Sequence, residues 1–147
     1  MSEGPQRRNL NRGFQQLRVW QEAVELYVKV CAAVKAWPFE MKKVAGQMIA
    51  SADSVHRNIA EGYARKSINE YLQFLNFARG SLAETVSGII AYQKAGQISE
   101  AVAEELDSQA FKLENGLLRL VASLEQKRRD DTWEDSIILH ESNESYG

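Results

Sequence analysis

Proline is nearly absent. Pro5 and Pro38 are the only two in 147 residues, so no proline forbids continuous helix from Phe39 onward. Cysteine occurs once, as Cys31, which excludes an internal disulfide and points to a reducing compartment, the cytoplasm. No apolar run approaches the ~18 residues of a membrane span, so no membrane contact is expected. The opening stretch MSEGPQRRNLNRG lacks the apolar stretch of a secretory signal. Lysine and arginine are missing from residues 130–147, which hold six acids. Residues 1–129 hold all 18 Lys and Arg against 14 acids, so the net charge of −2 conceals a mildly basic body and an acidic tail.

What is present is helical pattern. Hydrophobic residues make up 44% and charged residues 26%, the balance of a globular chain long enough to bury a core without metal or disulfide staples. A first helix is predicted from about Gln15 to Ala36. It carries two adjoining apolar seams: Leu17, Trp20, Val24, Tyr27, Cys31, Val34, and beside it Val19, Ala23, Leu26, Val30, Ala33. Arg18, Glu22, Glu25 and Lys29 form a charged stripe. Two seams exceed what one bundle core needs, which predicts a homo-oligomer. Pro38 separates this helix from a second, about Phe39 to Glu61, with the apolar seam Met41, Ala45, Met48, Ala52, Val55, Ile59. Ser67 with Glu70 reads as a capping box opening a third helix that stops at Gly96, and Ser99 caps a fourth that frays in EQKRRDD. The expectation is an all-α, antiparallel up-down-up-down four-helix bundle over residues 14–129. A flexible basic arm, 1–13, precedes it, and an acidic tail, 130–147, expected to be disordered, follows.

Catalytic arrangements are poorly represented. A di-iron bundle needs inward Glu residues and paired Glu-x-x-His motifs. Here Asp53 and His56 give one half-motif, and the other histidine, His140, lies in the tail. No metal or other cofactor is expected. Glu22–Glu25 and Glu104–Asp107 match fragments of the magnesium sites of all-α nucleotide pyrophosphohydrolases, but they fall on the first and last helices and read as solvated faces. Cys31 sits in a core seam, where a thiol behaves as a small hydrophobe. No catalytic residue, and no enzyme, is predicted.

The segment SVHRNIAEGYARKS carries polar residues beside its apolar line, and ARGSLAE on the third helix carries a matching set. Ser54, Asn58, Glu61, Arg79, Ser81 and Glu84 are predicted to form a buried hydrogen-bonded network between helices two and three, with a ligand site as the alternative. Gly62 is expected to end helix two in a left-handed cap, and Gly80 and Gly88 to let a second backbone approach. Lys42, Lys43, Arg57, Arg65 and Lys66 are candidates for contact with nucleic-acid phosphates, joined by Arg7, Arg8 and Arg12 in the arm. On a monomer the same cations are an ordinary solvated face.

FQQLRVWQEAVEL, SADSVHRNIAEGYARKS, YLQFLNFARGSLAE and YQKAGQIS resemble, in order and spacing, the four-helix-bundle proteins encoded in intervening sequences of bacterial 23S ribosomal RNA genes. The resemblance covers roughly residues 14–126, and NIAEG and ARGSLAE are its most specific parts. By position, the family's characteristic polar residues are Ser54, Asn58, Glu61, Gly62, Gly80, Ser81 and Glu84. The resemblance implies a homopentamer without enzymatic activity. More distantly, it implies kinship with the accessory variability proteins of diversity-generating retroelements, which are basic, RNA-binding partners of a reverse transcriptase. The pI near 5.8 and the acidic tail depart from those accessory proteins. The functional expectation is an oligomeric bundle that binds RNA or a nucleic-acid-processing partner. The alternative is a protein–protein interaction module with no nucleic-acid role.

Overall fold

A computed structural model describes residues 12–130. Residues 1–11, with most of the basic arm, and 131–147, with nearly all of the acidic tail, lie outside them. A short helix α1 (Arg12–Gln15) leads into α2 (Arg18–Val34). A 3-10 turn at Phe39–Met41 runs into α3 (Lys42–Tyr63), and α4 (Ile68–Lys94) and α5 (Glu100–Arg129) complete the order. Each long helix packs on its neighbours in sequence, and α2 packs on α5 to close a four-helix bundle of up-down-up-down topology.

The punctuation follows local chemistry. Ser67 Oγ accepts the backbone N–H of Glu70, and Ser99 Oγ accepts that of Val102 at 3.1 Å, which fixes the starts of α4 and α5. Gly96, with φ of +75°, ends α4, and Gln97 N donates back to the Tyr92 carbonyl at 2.8 Å. Glu100 in the first turn of α5 and Lys127, Arg128 and Arg129 in its last complement the helix dipole. The core is mainly aliphatic, with Leu26, Ile59, Leu75, Leu113, Leu117 and Leu124 closed off from solvent beside the fully buried Tyr71. Each is worth about 1.5–3 kcal/mol relative to exposure.

Three boundary expectations are corrected. The first helix does not begin at Gln15: the chain turns extended at Leu17 (ψ 124°), because Phe14 packs edge-on against Trp20 at 5.2 Å and folds α1 back. Gly13, assigned to the arm, belongs to this tuck, and a Cβ there would sit 2.5 Å from the Tyr63 ring. Second, Gly62 is no cap. It is buried inside α3, which continues to Tyr63 and ends at Ala64 in right-handed geometry. Third, the surplus apolar seam of α2 is largely consumed within the chain. Trp20 packs on Phe14, and Tyr27 packs edge-on against His56 at 5.7 Å. Large apolar side chains left exposed include Ile90 on α4 and Phe111 and Leu118 on α5.

Candidate nucleic-acid interface and polar groove

Helices α3 and α4 meet along small and hydroxylic residues, leaving an open groove of about 760 Å³ that includes Ser51, Ser54, Ser81 and Gly88 in its lining. Ser81 Oγ donates to Ser54 Oγ at 2.8 Å, and Asn58 Nδ2 donates to the Ser54 carbonyl and hydroxyl, both at 2.9 Å. One turn away the Ser51 and Thr85 hydroxyls share a hydrogen bond at 3.0 Å, and the fully buried Thr85 also reaches the Ser81 carbonyl at 2.9 Å. The Ser51, Ser54 and Thr85 hydroxyls therefore bridge the helices while bonding a group of their own helix, and the Ser81 hydroxyl serves the bridge alone. Gly88 allows the approach beside them, since a Cβ there would lie 2.9 Å from Met48 Sδ.

Half of the predicted network lies elsewhere. Arg79 is two residues, hence about 200°, around α4 from Ser81. It bonds its neighbour Asn76 on the exposed side. Glu61 points outward to an ion pair with Arg65, one turn on. Glu84 is exposed at the rim of the groove. Gly80, expected at the contact, faces open space. Proximity in sequence had stood in for position around the helix. Thr85 was missed, although its i+4 spacing from Ser81 was legible. Thr85→Val and Asn58→Ala are each expected to cost about 1 kcal/mol in urea unfolding, while Glu84→Ala stays within about 0.5 kcal/mol. An unchanged midpoint for Thr85→Val would reduce the hydroxyl line to mere spacing.

The carboxylate candidates do not converge. Asp53 is occupied by His56 Nε2 at 2.8 Å and Arg57 at 3.4 Å. Among the described residues, no group of three His, Cys, Asp or Glu is arranged to hold a metal. Glu22 is not on a solvated face: it is buried at the α2–α5 seam over Gly116, whose hypothetical Cβ would lie 3.5 Å from Glu22 Oε1. Glu104 is twelve residues from Gly116 along α5, about 18 Å away. The magnesium pattern is therefore not assembled.

The cations separate into two ends of the bundle. Lys42 and Lys43 lie at the start of α3, with the Lys42 ammonium 5.7 Å from the ring of Phe39, itself 83% exposed. Arg65 and Lys66 lie past the other end of this 22-residue helix, about 33 Å away. Arg65 pairs with Glu61 and Glu70 and lies over the Phe74 ring at 4.8 Å. Arg57 is two turns back along α3, paired with Asp53.

The topology then adds residues that sequence reasoning had assigned only to a fraying helix. In an up-down-up-down bundle the end of α5 shares an end with the α3–α4 turn. Arg128 Nη1 donates to Asn69 Oδ1 at 3.0 Å, which brings Arg128, with Lys127 and Arg129 beside it in sequence, to the end of the bundle that carries Arg65 and Lys66. The KRR run was the available signal, but only the topology says which turn it meets.

A family model described as 23S rRNA-intervening sequence protein matches residues 15–119. The match spans α2, α3, α4 and two-thirds of α5, and stops before the basic run 127–129. No curated protein matches the chain.

Proposed function

Because the chain belongs to the 23S rRNA-intervening sequence protein family, we propose that it is a non-enzymatic, cytoplasmic, homo-oligomeric bundle that binds RNA through its basic end. The observation that carries this reading is the convergence of Arg65 and Lys66 with Lys127, Arg128 and Arg129, tied across helices by the Arg128–Asn69 hydrogen bond. Cations on rigid helix ends suit a phosphate backbone, and the flanking Phe74 and Phe77 suit an unpaired base. Lys42 and Lys43, with exposed Phe39, form a second, smaller station at the far end.

The exposed apolar face of α4 and α5 supports the oligomeric part of this reading. Leu118 borders a groove with Gly80 and Ala83. Phe111 is one heptad from Leu118 and Ile90 one heptad from Ala83, so large exposed side chains flank small ones along the α4–α5 face. That face suits another copy of this chain, and the number five comes from the family resemblance. Repetition around a ring turns weak single contacts into multivalent ones. Within a retroelement setting the resemblance makes a reverse transcriptase the protein partner.

The test is binding to a single-stranded poly(U) RNA across a salt series, with light scattering on the same samples. The logarithm of the binding constant is expected to fall linearly with log salt, and Lys66→Gln and Arg128→Gln are each expected to flatten the slope by about one. Slopes unmoved by both substitutions would sink the basic-end assignment. An oligomer that ignores RNA at low salt would leave the protein–protein interaction module.

A further inference from the structure

We propose that the acidic segment 131–147 docks on the basic end of its own bundle, across the outer face of the first turns of α4, and so competes with RNA for that surface. The docking stands on its own geometry; only its regulatory consequence rests on the RNA reading above.

Position comes first. Helix α5 delivers the chain to this surface, because Arg128 is hydrogen-bonded to Asn69 in the first turn of α4. Trp133 follows Arg128 by five residues, a reach of at most about 17 Å when extended. From Asn69, Phe74 and Phe77 lie five and eight residues along α4, about 7 and 12 Å. Phe77 lies about 80° around α4 from Asn69 and Phe74 about 140°, on the α3 side, so Phe77 is the ring within direct reach of Trp133.

Chemistry then matches on both sides. Residues 131–147 carry five acids and no Lys or Arg, interleaved with Trp133, Ile137 and Ile138. The receiving surface interleaves cation with aromatic: Arg65 lies over Phe74, Phe74 meets Phe77 edge-on at 5.6 Å, and Phe77 is half exposed. Glu61 and Glu70 neutralise part of Arg65, whereas Arg128 and Arg129 donate to the neutral amides of Asn69 and Gln126 and so keep charge to attract the segment. Arg128 and Arg129 are three and two residues from the start of the segment, within about one Debye length of it, so their attraction acts at physiological salt. An acidic segment with an aromatic anchor near its root fits this surface better than a basic or purely apolar partner would.

The experiment uses the full chain with a photocrosslinking residue, p-benzoylphenylalanine, replacing Trp133, in a mixture of isotopically light and heavy protein. Crosslinks are expected within one chain, to residues 68–77, and to be lost in Arg65→Gln/Arg128→Gln. In parallel, full-length protein with the five acids of 131–147 changed to Asn and Gln is expected to bind poly(U) about tenfold more tightly, with a steeper salt dependence. Crosslinks that map elsewhere, that join light to heavy chains, or that ignore the Arg65→Gln/Arg128→Gln substitutions would overturn the docking. The expected crosslinks, with no RNA binding by any variant, would uphold the docking and overturn the RNA function instead.

Discussion

Gly62→Leu is expected to lower the unfolding free energy by about 2 kcal/mol. Gly62 lies at the last turn of α3, where the short connection to α4 forces the two helices together. A Cβ at Gly62 would lie 3.0 Å from Phe74 Cβ, 3.1 Å from Tyr71 Cδ1 and 3.3 Å from the Tyr71 carbonyl oxygen. The last of these is backbone and cannot rotate away. The Phe74 ring also carries the Arg65 guanidinium at 4.8 Å. The backbone at Gly62 is right-handed helix, so strain in φ plays no part. Leucine gains up to about 1 kcal/mol of helix propensity over glycine, and overpacking of about 3 kcal/mol outweighs it. Gly46, on the same helix, has nothing within 4 Å of a Cβ, so Gly46→Ala is expected to stabilise by up to about 1 kcal/mol. Urea unfolding at one fixed protein concentration separates the two, because oligomer formation otherwise enters the midpoint. A Gly62→Leu protein as stable as the parent would mean that α3 and α4 are not held at this distance.

Glu22→Gln should do the opposite and stabilise the protein at neutral pH, by about 1–2 kcal/mol. Glu22 is only 9% exposed, and its Oε1 has no hydrogen-bond partner. Burial raises its pKa above the ordinary glutamate value; Lys112, Arg18 and Arg119 oppose the rise in part, and Glu25 adds to it. A raised folded-state pKa means that the folded protein holds this proton more tightly than the unfolded chain does. The protein is then relieved of the cost below the unfolded value, loses stability as pH climbs through the folded value, and carries a constant penalty above it. The advantage of Glu22→Gln should vanish below the ordinary glutamate pKa and grow as pH climbs from there through the raised folded-state value. Unfolding measured at several pH values reads this directly. A Gln variant less stable than the parent at pH 7 would show that Lys112 or Arg119 already compensates the carboxylate in full.

Heptad spacing, the Ser67 and Ser99 caps, the Gly96 stop and the single interior proline were legible as local facts, and each concerns a chain segment interacting with itself. Those facts suffice for four amphipathic helices with short connections, and hence for the bundle. The sequence also marked Ser54, Asn58 and Ser81 as unusual, because polar residues beside an apolar seam must find partners when buried.

Tertiary structure alone decided which side of each helix meets which neighbour. It moved Gly62 from cap to contact and Gly80 from contact to open surface. It buried Glu22, which periodicity had placed on a charged stripe, since the glycine that admits it lies 94 residues away at Gly116. It also brought the 127–129 cations to Arg65 and Lys66, across a sequence gap no local pattern spans. The physical reason is common to all four. Helix formation depends on groups within about one turn, whereas rotation about the helix axis and register are fixed only by steric fit between surfaces distant in the chain.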